Sequence, residues 1–314
     1  MRYGHQTTLR ASTALSGIGV HNNKPVRLVL HPADPNCGIS FLRTGLPGGR
    51  EQSIAANWSK VSMTQLCTVI GNGSQAMVST VEHLMAAFSG LGLDNALVEI
   101  DGPEVPIMDG SAADFVRAID KVGIVPFAAP RRCIKVLKPV RIAHGDGFSE
   151  LRPAARGLRL EIEIDFASAL IGRQKHVIDL DPQRFRRELS RARTFGFVSD
   201  VERLWQMGFA LGSSLDNSVG MDGQRVLNPE GLRYTDEFVR HNTLDAVGDL
   251  ALAGAPIIGA YRSYRGGHKM NVAVLQALFA DDSAYAYVQD NAVRAGARAD
   301  MSLAVQPTYA PDLT

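Results

Sequence analysis

The sequence predicts an α+β fold built from two similar sheet-plus-helix domains. Both halves show the same order of elements: strand-like runs, a histidine-containing helix, a strand ending in a Gly-rich turn, and a last helix. Each half also carries a Pro-Ala pair followed by a glycine, in residues 32–38 and 153–157. Pro126 and Pro130 mark a break between the halves, because proline discourages regular structure. The likeness of the halves is weak, so an internal duplication and a chance likeness both stay open.

The break sets the predicted domain boundaries. Residues 1–126 form the first α+β domain, residues 127–132 a linker, and residues 133–314 the second α+β domain. Both lengths are ordinary for domains. The second domain contains an apolar insertion at about residues 195–225, which is either an unremarkable subdomain or a wall for an apolar ligand.

The individual elements follow from hydrophobic periodicity and from helix-start signals. Strands are predicted at residues 26–30, 96–100, 158–164 and 256–261. Helices are predicted from the residue 79–82 region to the glycines at 90 and 92, and at residues 112–122, 198–207, 236–250 and 270–279. The first of these begins with Ser79-Thr80-Val81-Glu82, which has the S-x-x-E form of a capping box.

Composition and charge exclude several classes of function. The 314 residues include 33 Lys and Arg against 32 Asp and Glu, so the charge gives no general reason to bind nucleic acid. The amino-terminal residues have no apolar core typical of a signal peptide, and no apolar run approaches the roughly 18 residues of a transmembrane helix. We therefore expect a cytoplasmic protein whose membrane contact, if any, is peripheral. Three widely spaced cysteines predict neither disulfides nor a CxxC metal site, so metal ligands would be mainly His and carboxylate.

Glu82 and His83 fall in the first turn of the first predicted helix, where both can border one cleft. The ordinary interpretation of Glu82 is a carboxylate favoured by the helix dipole. The ordinary interpretation of His83 is a hydrogen-bonded core histidine. Both interpretations stand beside the catalytic one.

The helix at residues 236–250 places His241, Asp245 and Asp249 on one face at spacings of four. Such a row is usually a solvated face, although the same spacing lets helical side chains converge on one metal ion. Together with His83, the first two residues would complete a His-His-carboxylate set. Hydrolytic zinc uses that set and keeps a fourth position open for water.

His268 follows two glycines that let the backbone turn sharply. Alone it is best explained as a surface histidine in a turn. A neighbouring carboxylate such as Asp249 would orient the imidazole and favour its protonated form.

Several long segments in a specific order resemble the UDP-3-O-acyl-N-acetylglucosamine deacetylases of lipid A biosynthesis. The resemblance is collinear from about residue 5 to about residue 290. The segments that carry it are Gly-Ile-Gly-Val-His at 17–21, Thr-Val-Glu-His-Leu at 80–84, Pro-Ile-Met-Asp-Gly-Ser-Ala-Ala at 106–113, Ser-Arg-Ala-Arg-Thr-Phe-Gly-Phe at 190–197, residues 237–250, and Gly-His at 267–268.

The resemblance implies two similar α+β domains with the active site at their interface. It implies zinc-dependent hydrolysis of the substrate acetamide, which releases acetate and the free amine as an early committed step of lipid A synthesis. The implied zinc ligands and catalytic residues are His83, His241 and Asp245 for the metal, Glu82 as general base, His268 as second catalytic histidine with Asp249 behind it, and Thr194 near the oxyanion. The implied substrate contacts are Phe195 against the sugar, Val201, Ala210 and Ser213 along the acyl passage, and Met63 and Val20 nearby.

One departure from the family concerns substrate binding. Relatives often carry Lys directly after the second zinc histidine, whereas this chain has Asn242, which cannot supply a cationic contact. Arg240, Lys269 or another basic residue is the alternative source of that contact. The resemblance otherwise implies a UDP-linked acylated N-acetylglucosamine as partner, without nucleic acid or stable membrane insertion. It places the protein in the cytoplasm of a Gram-negative bacterium, with transient contact at the inner membrane surface.

Two other functions compete with this interpretation. A zinc peptidase is the nearest enzymatic rival, although the chain lacks His-Glu-x-x-His and has Glu-His with its other ligands far away in sequence. A non-catalytic protein that binds nucleotide sugars or lipids is the rival of another class, and the full set of catalytic positions argues against it.

Overall fold

The computed structural model describes residues 4–73, 76–223 and 225–289. The strands of the first half are β1 His5–Leu9, β2 Thr13–Ile18, β3 Pro25–Pro32, β4 Ile39–Leu46, β5 Arg50–Ala55, β6 Val61–Met63, β7 Val69–Asn72, β8 Ala76–Val78, β9 Ala96–Ile100 and β10 Ile124–Pro130. The strands of the second half are β11 Arg132–Val136, β12 Val140–His144, β13 Gly147–Arg152, β14 Leu158–Asp165, β15 Arg173–Asp179, β16 Phe195–Phe197, β17 Val219–Asp222, β18 Arg225–Val226, β19 Ile257–Tyr264 and β20 Tyr285–Gln289. The helices are α1 Glu82–Leu91, α2 Ala113–Val122, α3 Pro182–Arg184 with a π-helical continuation Phe185–Leu189, α4 Val198–Gln206, α5 Glu237–Ala251 and α6 His268–Phe279. Short 3₁₀ turns lie at Pro47–Gly49 and Trp58–Lys60.

The two main sheets repeat one arrangement of strands. The first has the order β2-β3-β9-β4-β5, and the second contains β12-β13-β19-β14-β15. In each, the central strand (β9 or β19) is antiparallel to the neighbour on one side and parallel to the neighbour on the other. Strands β11 and β20 extend the second sheet beside the start of β19. The predicted α+β fold of two similar sheet-plus-helix units is confirmed.

Helices α1 and α5 occupy equivalent places in the two units and pack against each other. The approach is close enough to require glycine at position 248 of α5. A Cβ atom there would lie 1.9 Å from the carbonyl oxygen of Glu82. The missing side chain lets the first turn of α1 meet the middle of α5. Residues 82–83 therefore lie beside residues 241–249. No helix within the described residues is both long and apolar enough to cross a membrane.

The predicted capping box at Ser79–Glu82 is wrong. Helix α1 begins at Glu82 with Val81 as its N-cap, and no side chain caps it. Ser79 is instead bonded as a β-bridge, its N–H donating to the carbonyl of Pro103 and its own carbonyl accepting from Val105. The chain then turns through Thr80 at φ +58°. The Glu82 carboxylate is thus left to face the interior between the two units.

The proline-containing segment is also more regular than expected. Residues 124–130 form β10, which pairs antiparallel with β1, and β11 begins at Arg132. Proline is tolerated here because both strands of this two-stranded sheet are edges, where a missing N–H costs no ladder bond. The expectation of irregular structure at residues 127–132 is therefore wrong, while the division into domains at this point stays a prediction.

Candidate active site

Three potential metal ligands meet where α1 crosses α5. His83 comes from α1, and His241 and Asp245 come from successive turns of α5; all three are buried. Their ligand atoms all lie within 4.8 Å of one another. Oδ1 of Asp245 is 3.4 Å from Nε2 of His83 and 3.5 Å from Nε2 of His241. The solvated-face interpretation of α5 therefore does not hold.

The chemistry of this cluster fits a zinc ion. Oδ1 of Asp245 is buried and has no hydrogen-bond partner, which would be costly for a carboxylate with no cation to receive it. Nδ1 of His241 lies 3.1 Å from the carbonyl oxygen of Ala192 and donates its proton there. That bond leaves Nε2 unprotonated and directed at the cluster, as in metal sites whose histidines are oriented by a carbonyl. Two imidazoles and one carboxylate are a common ligand set for catalytic zinc.

Glu82 lies beside this cluster in a dry environment. Its Oε2 accepts a hydrogen bond from the N–H of Thr68 at 3.0 Å, and its Oε1 lies 3.9 Å from Nε2 of His268. Burial raises the pKa of Glu82 to about 7, against the opposing effect of His268 and His83. A carboxylate with such a pKa exchanges protons readily near neutral pH, which suits a general base.

His268 stands opposite, at the first position of α6. Burial alone would lower the pKa of this imidazole, but Asp249 raises it well above the usual range through its charge and a 2.8 Å contact with Nδ1. Asp249 is fully buried, and its other oxygen accepts a 2.6 Å hydrogen bond from the Thr68 hydroxyl. Asp249 thus favours the protonated form of the imidazole, and its Nε2 lies on the side of Glu82.

Thr194 and Phe195 border the cluster from the start of the insertion. The Thr194 backbone is fixed on both sides, because its N–H donates to Gly110 and its carbonyl accepts from Val219, each at 2.8 Å. The Phe195 ring meets those of Phe238 and His241 edge to face. The Thr194 backbone and the Phe195 ring are therefore held in place at the edge of the site.

A cavity of about 410 Å³ opens over the cluster and runs into the insertion. Its lining combines the ionisable side chains of the cluster with apolar side chains of β16, α4 and the following loop. The sequence-predicted residues along it are Val20, Glu82, His83, Thr194, Phe195, Val201, Ala210, Ser213, His241, Asn242, Asp245 and His268. Met63 is 38% exposed at the end of β6 and does not line it. A ligand that carries both an apolar group and a polar group fits this lining.

A second cavity of about 340 Å³ adjoins the first and shares Asn242 and Asp245 with it. The basic residue that lines it is Arg265. Arg240 is already engaged, since it pairs with Asp236 and lies 4.8 Å above the Tyr234 ring. Arg265 also lies 3.8 Å from the exposed Asp146, but unlike Arg240 it lines this cavity, so it is better placed to supply the positive charge that Asn242 lacks.

Several residues of the site carried no local signal in the sequence. Thr68 bonds both Glu82 and Asp249, and Asp249 lies 181 residues further along the chain. His21 lines the cavity, and its Nδ1 accepts a 3.3 Å hydrogen bond from the N–H of Ala210 in the insertion. The segment at residues 17–21 carries part of the family resemblance, but nothing in it indicates a partner 189 residues away.

Comparison with known proteins identifies the family of this chain. The family model described as UDP-3-O-acyl N-acetylglycosamine deacetylase matches residues 6–280. Proteins named UDP-3-O-acyl-N-acetylglucosamine deacetylase from Brucella ovis, Brucella canis and Brucella melitensis are each 51% identical over 286 residues, covering 91% of this chain and 99% of the relative. By both measures, this chain belongs to the UDP-3-O-acyl-N-acetylglucosamine deacetylase family.

Proposed function

We propose that this chain is a zinc-dependent deacetylase that hydrolyses the acetamide of UDP-3-O-acyl-N-acetylglucosamine, releasing acetate and the free amine. The observation that carries the proposal is the meeting of His83, His241 and Asp245 in a cavity that apolar side chains of the insertion also line. Family membership supplies the substrate, and the cavity has the two chemical environments that an acylated nucleotide sugar needs.

The metal would be held by Nε2 of His83, Nε2 of His241 and a carboxylate oxygen of Asp245. When bound, zinc supplies a Lewis acid that polarises the acetamide carbonyl and makes water acidic enough to attack near pH 7. The orphaned oxygen of Asp245 and the tautomer of His241 support this assignment.

Three further side chains act on protons and charge. Glu82 accepts the proton of the attacking water on Oε1, the oxygen that the Thr68 N–H does not engage. The Thr194 hydroxyl donates a hydrogen bond to the developing oxyanion. Protonated His268 stabilises the same negative charge through Nε2. The amine leaves only when protonated, and the proton comes from His268 or from the newly protonated Glu82, 3.9 Å apart.

The rest of the substrate occupies the two cavities. The acyl chain would extend past Val20, Val201, Ala210 and Ser213, and Phe195 would pack against the sugar. Asn242 lies where the cavities join, and Met63 would contact the substrate only from outside the cavity. Such a substrate is made in Gram-negative bacteria, so we place the enzyme in the cytoplasm with transient contact at the inner membrane surface.

Metal analysis combined with an acetate-release assay tests the function. Purified protein should contain about one zinc per chain and release acetate from UDP-3-O-acyl-N-acetylglucosamine. Chelation should abolish release, and added zinc should restore it. Hydrolysis of peptides without acetate release would favour a peptidase instead. Substrate binding without turnover in the zinc-loaded protein would favour a non-catalytic binding protein.

Replacing the Thr194 hydroxyl tests the oxyanion contact. Thr194→Val keeps the side-chain shape and the backbone bonds, so we expect kcat to fall by about 10²-fold while KM stays nearly constant, since the lost donor acts only in the transition state. Steady-state acetate release at several substrate concentrations measures both constants. Thr194→Ser, which keeps the hydroxyl, should retain most of the activity. An equal loss in both variants would remove the hydroxyl from the mechanism.

The raised pKa of His268 predicts a pH dependence. Asp249 holds the imidazole protonated well above pH 6.5, so activity that needs the cation is present below this elevated pKa and is lost as pH rises through it. In Asp249→Asn the pKa of His268 should fall, because the neighbouring charge is gone. The descending limb of kcat/KM against pH should then move to lower pH. An unmoved limb in Asp249→Asn would show that another group sets it.

A further inference from the structure

A chain of buried hydrogen bonds leads from His268 into the sheet of the second unit. Nδ2 of Asn271 on α6 donates to Oδ2 of Asp249 at 2.9 Å, the same oxygen that contacts His268. The Tyr261 hydroxyl on β19 donates to Oδ1 of Asn271 at 2.5 Å. Asn271 is 2% exposed and Tyr261 is 0% exposed. Neither residue lies among the predicted catalytic or binding positions.

The direction of these bonds is fixed by what each group can donate. The Asp249 carboxylate only accepts, so the amide nitrogen of Asn271 faces it and the amide oxygen faces Tyr261. Tyr261 has a single hydroxyl proton, which goes to that amide oxygen. Ser149, whose Oγ is 2.8 Å from the Tyr261 oxygen, must therefore be the donor of that bond. Ser263 lies 3.2 Å from Ser149 and continues the chain. The donors from Ser149 to Asn271 thus all point towards Asp249.

A purely packing role does not account for the tyrosine. A phenylalanine would fill the same space without a hydroxyl that must be satisfied in a dry environment. Tyr261 instead places its hydroxyl between β13 and α6, where Ser149 and Asn271 both hydrogen-bond to it. A fully satisfied polar network of this kind restricts its members to one arrangement.

We propose that Tyr261 and Asn271 are positioning residues for the reaction: the hydrogen-bond chain they carry holds the Asp249 carboxylate against Nδ1 of His268 and so aims Nε2 into the active site. The inference rests on the proposed function, because it concerns the role of His268 there. Tyr261 lines neither cavity, whereas Asn271 also borders the second one. Both residues act on His268 through Asp249.

The other groups around His268 act from different directions. The charged or titratable side chains that influence it are Asp249, Asp245, Glu82, His21, His83 and His241. Of these, Asp249 holds Nδ1, while Glu82 lies on the Nε2 side. A change in the hydrogen bonds of Asn271 should therefore affect the His268 ring through Asp249.

Tyr261→Phe in the zinc-loaded enzyme tests the proposal. We expect kcat to fall about tenfold with KM within about twofold, and the descending limb of the pH profile to move to lower pH, because a loosened Asp249 holds the imidazolium less well. Tyr234→Phe is the matched control, since it also removes a tyrosine hydroxyl bond, the 3.1 Å bond to the Arg187 carbonyl. It should leave kcat and the pH profile unchanged. Zinc content and thermal unfolding should be measured for both.

A double-mutant cycle separates positioning from a general loss of packing. In an Asp249→Asn background, Tyr261→Phe should cost less than about twofold, because the carboxylate that the tyrosine orients is no longer there. A full tenfold cost in both backgrounds, or a wild-type kcat and pH profile in Tyr261→Phe alone, would overturn the inference. Either result leaves the deacetylase proposal intact as long as the unsubstituted enzyme releases acetate. Absence of acetate release from that enzyme would instead remove the proposed function.

Discussion

Asp245→Ala is expected to remove zinc and to lower acetate release by at least about 10³-fold. Asp245 is the carboxylate of the cluster, and its buried Oδ1 faces both Nε2 atoms without another partner. Without it, His83 and His241 alone would have to hold the ion. Zinc per chain by elemental analysis and acetate release on the same sample measure the two effects together.

The matched control for this variant is Asp236→Ala. Asp236 is the N-cap of the same helix, but it pairs with Arg240 outside the cavity. Its loss should leave the zinc content near that of the unsubstituted enzyme. If Asp245→Ala kept both full zinc and full activity, the metal assignment would be withdrawn. If Asp236→Ala also lost zinc, the effect would be one of helix stability rather than of a ligand.

Local patterns in the sequence were sufficient for the elements that carry the site. The spacing of four between His241, Asp245 and Asp249 depends only on helix geometry, and α5 indeed runs through all three. The sequence around these residues does not show whether their side chains face solvent or the protein interior, because the same spacing fits a solvated face. What decides it is the close crossing at Gly248, a contact between residues 82 and 248 that no short pattern encodes.

The parts that local patterns did not reveal depend on distant pairings. The S-x-x-E pattern at residues 79–82 fits a capping box, but the backbone of Ser79 forms β-bridge hydrogen bonds with Pro103 and Val105. Thr68 shows no signal of its own, and its importance appears only once Glu82 and Asp249 lie on either side of it. Tertiary contacts therefore override the local capping preference at Ser79 and give Thr68 a role that its own segment does not indicate.

Glu82→Gln is expected to lower kcat by about 10³-fold while zinc stays bound. The amide is nearly isosteric with the carboxylate, and its oxygen can still accept the hydrogen bond from the Thr68 N–H. It cannot take a proton from water. The loss should therefore fall on the chemical step, and pre-steady-state acetate release should show the same deficit as kcat.

Comparing Glu82→Gln with Asp245→Ala assigns the roles of the two carboxylates. If Glu82 served mainly to stabilise the fold or the metal, Glu82→Gln would lose zinc or unfold earlier, as Asp245→Ala is expected to lose zinc. If it is the base, zinc and thermal stability stay near normal and turnover alone falls. Glu99→Gln on β9 provides the control for a Glu-to-Gln change away from the site, because the half-buried Glu99 pairs with His31 and not with the cluster. Unimpaired turnover in Glu82→Gln would exclude this carboxylate as the base. The proton of the attacking water would then have to go to His268. The raised pKa of His268 makes that imidazole a poor proton acceptor at neutral pH.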